Sequence, residues 1–309
     1  MSNQINLIHR IAVGLFLLLT IQPLLAVNLT FKVNAPETQP VDVDQRIPKG
    51  QPAGEYDVAL LIGNGSYGNK GMPDVDFAHN DVQVMKRYLI NTMGYRPENV
   101  LVETDITKGG FETLFGTQQS SRGKLGRYVM PGESRVFVYY VGHGAPDVNT
   151  HDGFFVPVDA DPDYIANSGY ALSTFYASLR KLPAKELIVV LDACFSGRTQ
   201  EGQLIRNVSP GLLMVKDTHS GIHQGAVFSS ATGNQLSSWY PKKRHSLFTY
   251  YFLKGLQGEA DANKDKQITT GELNAYVAKH VRYMAGRLAG KDQEPKMEGK
   301  DDLVLATLK

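Results

Sequence analysis

The chain has 309 residues, of which 42% are hydrophobic and 20% are charged, with 32 basic residues against 31 acidic ones. This is the composition of a globular protein that can bury a full hydrophobic core. The formal net charge of +1 gives no indication that nucleic acid or an anionic membrane is the main partner.

The N-terminal segment is typical of an export signal. Arg10 precedes an apolar run over 11–21, and the small residue Ala26 follows a few positions later. This pattern predicts a signal peptide over 1–26, cleaved after Ala26, and therefore an exported protein, periplasmic or secreted. The alternative is an uncleaved membrane anchor, although the run is shorter than the roughly 20 residues that a span needs. Membrane association is expected only in that case.

The next segment, 27–54, is rich in proline, carries scattered charges and has no hydrophobic period. Such a sequence is typical of a linker or a poorly ordered arm. Order is expected to begin near Tyr56, so that one folded domain occupies 55–309.

Apolar runs alternate with helical patterns through this domain. The runs predict strands over 58–62, 100–102, 135–141, 187–191 and 226–230, and hydrophobic spacing predicts helices over 76–93, 111–130, 171–182, 247–256 and 270–288. Residues 302–308 are expected to close the sheet as an edge strand. The alternation indicates an α/β fold with a mostly parallel central sheet and helices on both faces.

Two of the predicted strands end in chemically interesting residues. His143 follows the strand 135–141 and stands between two glycines, and Cys194 follows the strand 187–191 after Asp192 and Ala193. Ligands of open α/β sheets bind beyond the carboxyl ends of the strands. Cys194 is the only cysteine, so it is either a buried, inert residue or a reactive thiol. Its position after a buried strand favours a reactive thiol.

A cysteine and a histidine in one crevice are sufficient for nucleophilic catalysis. The thiolate is the attacking species, and an imidazole can take up the thiol proton. The backbone N–H groups of Gly144 and Cys194 are candidates for an oxyanion hole. No aspartate that would complete a triad is evident, and His143 can alternatively be a histidine that only caps a turn.

The residues around both candidates resemble a known family. VFVYYVGHG at 136–144 and ELIVVLDACFSG at 186–197 resemble the histidine and cysteine blocks of the caspase and metacaspase superfamily of cysteine peptidases. HDGFFVPVD, SSATGNQ and LFTYYFLKGL further along the chain are similar to its bacterial members. The resemblance implies a caspase-like three-layer sandwich that hydrolyses peptide bonds in protein or peptide substrates. It also implies His143 as general acid and base, Cys194 as nucleophile, and no required cofactor.

The resemblance also bears on specificity. True caspases have a glutamine two positions before the cysteine, whereas Asp192 stands here, as in metacaspases, whose acidic pocket takes arginine or lysine at P1. The Asn80-Asp81 pair is similar to the metacaspase pair that supplies a second acidic residue, and Ser230 is expected to contact substrate. Phe195, where many metacaspases have histidine, is expected to alter the pocket wall. Alternatively, Asp192 caps a turn and Asp81 is a solvated residue favoured by the helix dipole.

A loop near the C-terminus has the spacing of a calcium site. Its oxygen-bearing residues occupy the first, third, fifth, ninth and twelfth positions of an EF-hand loop, and the candidate metal ligands are Asp261, Asn263, Asp265 and Glu272. The sixth position is Lys266 instead of glycine, and the sequence has no second loop to pair with it. The alternative is a helix start, because Thr269 and Glu272 have the spacing of a capping box.

The sequence therefore predicts an exported cysteine endopeptidase that cleaves after Arg or Lys. Two alternatives are a catalytically silent caspase-like binding module and a caspase-like hydrolase with another P1 preference. The polar loop 198–225 is expected to be cut by the enzyme itself at Arg206 or Lys216, because exposed loops are where proteolysis concentrates.

Overall fold

A six-stranded sheet lies at the centre of the fold. In the computed structural model, which describes residues 41–68, 72–199, 202–204, 219–233 and 235–309, its strands are β1 Val58–Gly63, β2 Val100–Thr104, β3 Arg135–Val141, β4 Glu186–Asp192, β5 Gly225–Ser229 and β6 Lys296–Gly299. Their order across the sheet is β6-β5-β4-β3-β1-β2. The first five strands are parallel and β6 is antiparallel to β5, which confirms the predicted mostly parallel sheet.

Helices cover both faces of this sheet. The α-helices of the described residues are α1 Asp42–Gln45, α2 Ala78–Asn91, α3 Lys108–Phe115, α4 Ile165–Ser168, α5 Leu172–Arg180, α6 Leu247–Lys254 and α7 Thr270–Ala289. One hydrophobic cluster joins α2, α6 and α7 to one face, and a second joins α3 and α5 to the other. This is the three-layer α/β sandwich that the resemblance implies.

The central strands have continuous hydrophobic interiors because both of their faces are buried. Along β1, Ala59 and Leu61 belong to the first cluster, whereas Val58, Leu60 and Ile62 belong to the second. Successive side chains of a strand point to opposite faces. A strand covered on both sides therefore has an unbroken apolar sequence rather than an alternating one.

Short elements connect these layers. The short strands form four small sheets: Gly144–Pro146, Gly153–Phe155 and Tyr170–Ala171; Arg198–Thr199 with Gly202–Gln203; Trp239–Tyr240 with His245–Ser246; and Gln267–Thr269 with Val304–Thr307. Single turns of 3-10 helix span Pro97–Asn99, Lys124–Tyr128, Pro162–Tyr164 and Pro241–Lys243, and a π-helical turn spans Gly255–Glu259.

None of the helices in the described residues is both long and apolar enough to cross a membrane.

The helix predicted over 111–130 is wrong in extent. The observed α3 begins earlier, where the Thr107 side chain accepts a hydrogen bond from the Gly110 N–H, and it ends at Phe115. Gly116 follows with a φ of 95°, a conformation that suits glycine and stops a helix. The sequence after it forms a loop and the turn Lys124–Tyr128.

The edge strand predicted over 302–308 is also wrong. Val304–Thr307 pairs with Gln267–Thr269 instead, in a separate two-stranded sheet. The central sheet is closed by β6, where Gly299 has a φ of 103° and a methyl group added to it would lie 2.2 Å from the Gly225 carbonyl oxygen. The sequence of β6 has no hydrophobic run that would mark it as a strand, so the apolar run 302–308 was the more prominent candidate for the edge strand.

The segment 41–54 is packed against the domain, whereas the sequence predicts a linker or loose arm over 27–54. Val43 is fully buried, and its carbonyl oxygen accepts a hydrogen bond of 2.9 Å from the Tyr88 hydroxyl. Further along, Gly50 bridges to Leu308. The folded unit Pro40–Lys309 thus begins before residue 55. The predicted signal over 1–26, and the rest of the predicted arm up to residue 40, lie outside the described residues.

Candidate active site

His143 and Cys194 lie at the same edge of the central sheet. Strands β3 and β4 are direct neighbours, and Val141 pairs with Asp192 at their carboxyl ends. Each candidate follows two residues after this pair. One cleft is lined by both, together with Val75, Val141, Gly142, Asp192, Ala193, Leu236, Ser237, Trp239 and Ser246.

The His143 ring is oriented by a backbone carbonyl group. Its Nε2 atom lies 2.7 Å from the carbonyl oxygen of Pro73. A carbonyl oxygen only accepts hydrogen bonds, so Nε2 carries the proton and Nδ1 keeps a free lone pair. Burial lowers the pKa of His143 to about 4, although the Pro73 carbonyl and the charge of Asp74 oppose this effect. The imidazole is therefore neutral at neutral pH.

Two tyrosines fix the backbone of His143. The Tyr67 hydroxyl accepts a hydrogen bond of 2.9 Å from the His143 N–H, and the Tyr140 hydroxyl donates one of 2.7 Å to the His143 carbonyl oxygen. The Tyr67 ring also packs at 4.8 Å from the imidazole centroid. Pro73 and both tyrosines were not predicted from the sequence. Only the position of Tyr140 within the motif itself offered a signal.

The Cys194 thiol is held by Ser237. Its Sγ atom accepts a hydrogen bond from the Ser237 N–H and lies 3.7 Å from the Ser237 carbonyl oxygen. Burial raises the pKa of Cys194 to about 12, against the effect of the Ser237 N–H and in the same direction as the charge of Asp192. Cys194 is thus a thiol at neutral pH. Ser237 was not predicted.

Gly144 brings the histidine and cysteine segments into contact. A methyl group added to it would lie 2.6 Å from a ring carbon of Phe195 and 3.0 Å from the Cys194 carbonyl oxygen. The position therefore requires glycine, and it places the two predicted oxyanion-hole residues side by side. The Phe195 ring packs at 5.6 Å against that of Phe155 in the core on the α3–α5 face. It does not line the cleft, contrary to the predicted effect on the pocket wall.

Asp192 presents a buried carboxylate to the cleft. Only 3% of the residue is exposed. Oδ2 accepts hydrogen bonds from the hydroxyls of Ser246 and Thr249, the latter at 2.7 Å, and Oδ1 accepts one of 3.1 Å from the Ser237 hydroxyl. Burial raises its pKa, and these hydroxyls oppose the rise. In the part of the chain that the structure describes, Asp192 forms no ion pair. Its partners lie on other elements, which argues against a mere cap of its own turn.

Asp81 does not line the cleft, which corrects its predicted contact with substrate. The side chain is fully buried. Its Oδ1 atom is hydrogen-bonded to His245 Nδ1, and Oδ2 accepts a bond of 3.1 Å from the Ser246 N–H. Burial and the charge of Asp192 raise the pKa of Asp81 to about 6 against the effect of His245. Asp81 is therefore neither the solvated residue of the alternative interpretation nor a direct ligand of the P1 side chain.

Ser230 is likewise buried beneath the cleft rather than exposed in it. Its hydroxyl is hydrogen-bonded to the Ser237 hydroxyl over 2.8 Å. The amide of the buried Gln293 donates to the Ser230 carbonyl oxygen over 2.9 Å, while its oxygen accepts from the Ser238 N–H over 2.9 Å. Ser230 and Gln293 therefore support the segment that carries Ser237, and the predicted contact of Ser230 with substrate does not match this position.

The predicted calcium loop adopts a defined conformation. The Asp261 carboxylate accepts a hydrogen bond of 3.0 Å from the N–H of Lys266, which has a φ of 66° at the position that glycine occupies in an EF-hand. Asn263 accepts a bond of 2.9 Å from the Asp265 N–H. Glu272 and Thr269 form the capping box of the alternative. Within the described ranges, no three His, Cys, Asp or Glu side chains are grouped to hold a metal, so calcium binding stays a prediction.

The predicted self-cleavage positions, Arg206 and Lys216, lie outside the described residues.

The domain that carries this site matches a known family. A family model described as the caspase domain matches residues 57–302. Among solved structures, the chain is similar to caspase-1 from Spodoptera frugiperda, with a TM-score of 0.55 and 14% sequence identity over 85% of this chain and 94% of that one. At this identity the similarity shows the fold alone. No curated protein matches the sequence.

Proposed function

The chain belongs to the caspase-domain family of cysteine peptidases, and on that premise we propose that it is an endopeptidase with Cys194 as nucleophile and His143 as general acid and base. One observation carries the proposal: the only thiol and an imidazole with a free Nδ1 lone pair line one cleft at the ends of neighbouring strands. A cysteine and a histidine can act without an aspartate because the thiol is more acidic than a hydroxyl.

The reaction starts from a neutral pair. When substrate displaces the thiol from Ser237, His143 Nδ1 takes the thiol proton and the sulfur attacks the scissile carbonyl carbon. The backbone N–H groups of Gly144 and Cys194 stabilise the developing oxyanion. The tetrahedral intermediate then collapses to a thioester, and the imidazolium returns the proton to the departing amine. A water molecule, deprotonated by the same imidazole, attacks the thioester and releases the carboxylic acid with regeneration of the thiol.

We propose further that the enzyme cleaves after Arg or Lys. Asp192 faces the cleft with its oxygens bonded to hydroxyl groups. A buried carboxylate without an opposite charge gains more from a cation than an exposed one does, because the surroundings screen the attraction less. A guanidinium or ammonium group at P1 supplies that charge through charge-assisted hydrogen bonds.

The second candidate is a catalytically silent binding module. It is favoured by the hydrogen bond between the Ser237 N–H and Cys194 Sγ, which occupies the sulfur in the substrate-free protein. A panel of fluorogenic peptides that differ only at P1 separates the candidates when it is run on wild type and Cys194→Ala. We expect hydrolysis of Arg and Lys peptides that is lost in the variant. Equal turnover in both proteins, or none in the wild type, would contradict the proposal.

We also propose that the protein is exported and that its signal is removed after Ala26. Support comes from the short apolar run over 11–21 after a basic residue. N-terminal mass spectrometry of the protein isolated from an exporting host is expected to find Val27 as the first residue. A chain that retains 1–26 and sediments with membranes would support the alternative of an uncleaved anchor.

A further inference from the structure

A buried histidine links the N-terminal part of the fold to the cleft. His245 is fully buried. Its Nε2 atom lies 2.9 Å from Asp44 Oδ1, and its Nδ1 atom is hydrogen-bonded to Asp81 Oδ1. Carboxylate oxygens only accept, so both ring nitrogens donate and the ring is an imidazolium. Burial alone would lower its pKa, but the two carboxylates outweigh this effect and raise the pKa to about 9.

One residue separates this histidine from the cleft. The Ser246 N–H donates to Asp81 Oδ2 over 3.1 Å, while the Ser246 hydroxyl donates to Asp192 Oδ2. Asp81 and Asp192 therefore hold the same residue, and their charges repel each other. The imidazolium offsets the charge of Asp81, so Asp192 is the one of these two carboxylates that faces the cleft.

Asp44 is held in place independently of His245. Arg87 donates to the Asp44 carbonyl oxygen over 2.7 Å, and Arg244 lies 3.5 Å from Asp44 Oδ2. The neighbouring Asp42 forms ion pairs with Lys243 and Lys254 at 3.1 and 3.0 Å. Asp42 and Asp44 precede the stretch 57–302 that matches the caspase domain, whereas their basic partners lie within it. The segment that carries Asp44 thus lies outside the matched stretch but is tied to it.

We propose that Asp44 and His245 are positioning residues for the P1 pocket. They hold Asp81 and Ser246 so that Asp192, and not Asp81, receives the cationic side chain of the substrate. This inference rests on the proposed preference for Arg or Lys. The sequence predicts that Asp81 and Asp192 both contact P1, whereas here Asp192 binds the P1 side chain and Asp81 positions the pocket.

The test compares Asp44→Asn with Asp42→Asn. The control removes a charge from the same helix, α1, but has no contact with His245. For each protein, kcat and KM are measured with matched peptides that carry arginine or its uncharged isostere citrulline at P1. We expect Asp44→Asn to lower the ratio of kcat/KM for the arginine peptide to kcat/KM for the citrulline peptide about tenfold, the equivalent of one charged hydrogen bond. The change should appear in KM rather than in kcat. The control should stay within about twofold of wild type.

Binding gives a readout that does not need catalysis. Agmatine, a soluble guanidinium compound, is titrated by calorimetry into Cys194→Ala with and without Asp44→Asn, and the added change should weaken binding about tenfold. If Asp44→Asn does not fold, the double variant Asp44→Asn with His245→Gln replaces it, because its two amide side chains can hydrogen-bond to each other and the glutamine amide can still donate to Asp81.

The possible results separate this inference from the proposed function. A folded Asp44→Asn protein with unchanged discrimination and unchanged agmatine binding would overturn the inference alone. An equal loss of discrimination in Asp42→Asn would also overturn it, because the effect would then come from the packing of the α1 segment in general and not from the contact between Asp44 and His245. A wild type that cleaves no peptide would overturn the proposed function, while the agmatine titration would still decide the inference.

Discussion

The Nε2 atom of His143 lies 2.7 Å from the carbonyl oxygen of Pro73. This contact assigns the tautomer, because it leaves Nδ1 without a proton and able to accept one from the thiol. The Pro73 carbonyl thus orients the base, as a carboxylate does in a triad, without adding a negative charge beside it. The neutral imidazole and the neutral thiol follow from their burial.

We predict an unusual pH dependence of the unliganded enzyme. The pKa of His143 is lowered to about 4, so the acidic limb of kcat/KM should fall through that range rather than near the ordinary value of about 6.5. The pKa of Cys194 is raised to about 12. Iodoacetamide should therefore label the native thiol slowly at neutral pH and faster as the pH rises, since the thiolate is the reactive species.

The denatured protein is the control for this labelling, because its thiol should react with an ordinary cysteine pKa of about 8.5. A native labelling rate that is already at its plateau at neutral pH would contradict the neutral pair. It would indicate a thiolate–imidazolium ion pair instead. A thiol that resists alkylation at every pH would contradict the assignment of Cys194 as nucleophile.

Asp192→Asn should change specificity more than stability. The amide keeps the size of the side chain and can still accept from the hydroxyls of Ser246 and Thr249, but it has no charge for P1. We expect KM for Arg peptides to rise about 10- to 100-fold, the worth of a hydrogen bond to a charged group, with a smaller effect on citrulline peptides. Thermal unfolding checks the fold. An unchanged Arg-to-citrulline ratio would show that Asp192 does not contact P1.

Self-cleavage within 198–225 is expected if the pocket accepts basic residues. Arg206 and Lys216 are tethered to the site and therefore present at a high effective concentration. Purified wild type should slowly yield new N-termini after one of them, detected by mass spectrometry, and Arg206→Gln with Lys216→Gln should stay intact. Cleavage of Cys194→Ala at the same rate would identify a contaminating protease. An intact and fully active wild type would contradict any need for processing.

Calcium binding by the loop 261–272 is tested by a variant that keeps the helix start. Glu272→Gln preserves the capping box with Thr269, since glutamine can also occupy that position, but it removes the bidentate carboxylate of the twelfth position. Calcium at 100 times its dissociation constant should stabilise the wild type by about 2.7 kcal/mol, and the variant much less. Equal thermal shifts with magnesium, or none with calcium, would contradict a calcium site.

The sheet and the meeting of His143 with Cys194 could be predicted from the sequence. Strands buried on both faces appear as continuous apolar runs, and the carboxyl ends of parallel strands lie at one edge of a sheet. The chemistry of both residue types then indicated a nucleophile and a base. These inferences depend on local hydrophobic patterns and on the order of strands and helices, both of which can be read from one sequence.

The surroundings of the site could not be predicted in the same way. Pro73 orients His143 through its carbonyl group, and Ser237 binds the Cys194 sulfur through its N–H, so the residue type gives no signal for either contact. Asp81 was interpreted as a pocket residue because Asn80-Asp81 resembles the metacaspase pair, and its actual partner, His245, is 164 positions away. Asp44 lies on a helix of four residues, which is too short to show a hydrophobic period. Long-range pairing of buried charges decides these positions, and no local pattern records it.

The most direct test of the central claim is covalent labelling with a peptidyl chloromethyl ketone that has arginine at P1. The account predicts one peptidyl group per chain, located on Cys194 by peptide mapping and absent from Cys194→Ala. The matched reagent with aspartate at P1 should react at least about tenfold more slowly, because Asp192 attracts one charge and repels the other. An adduct on another residue, or equal rates with both reagents, would contradict the account.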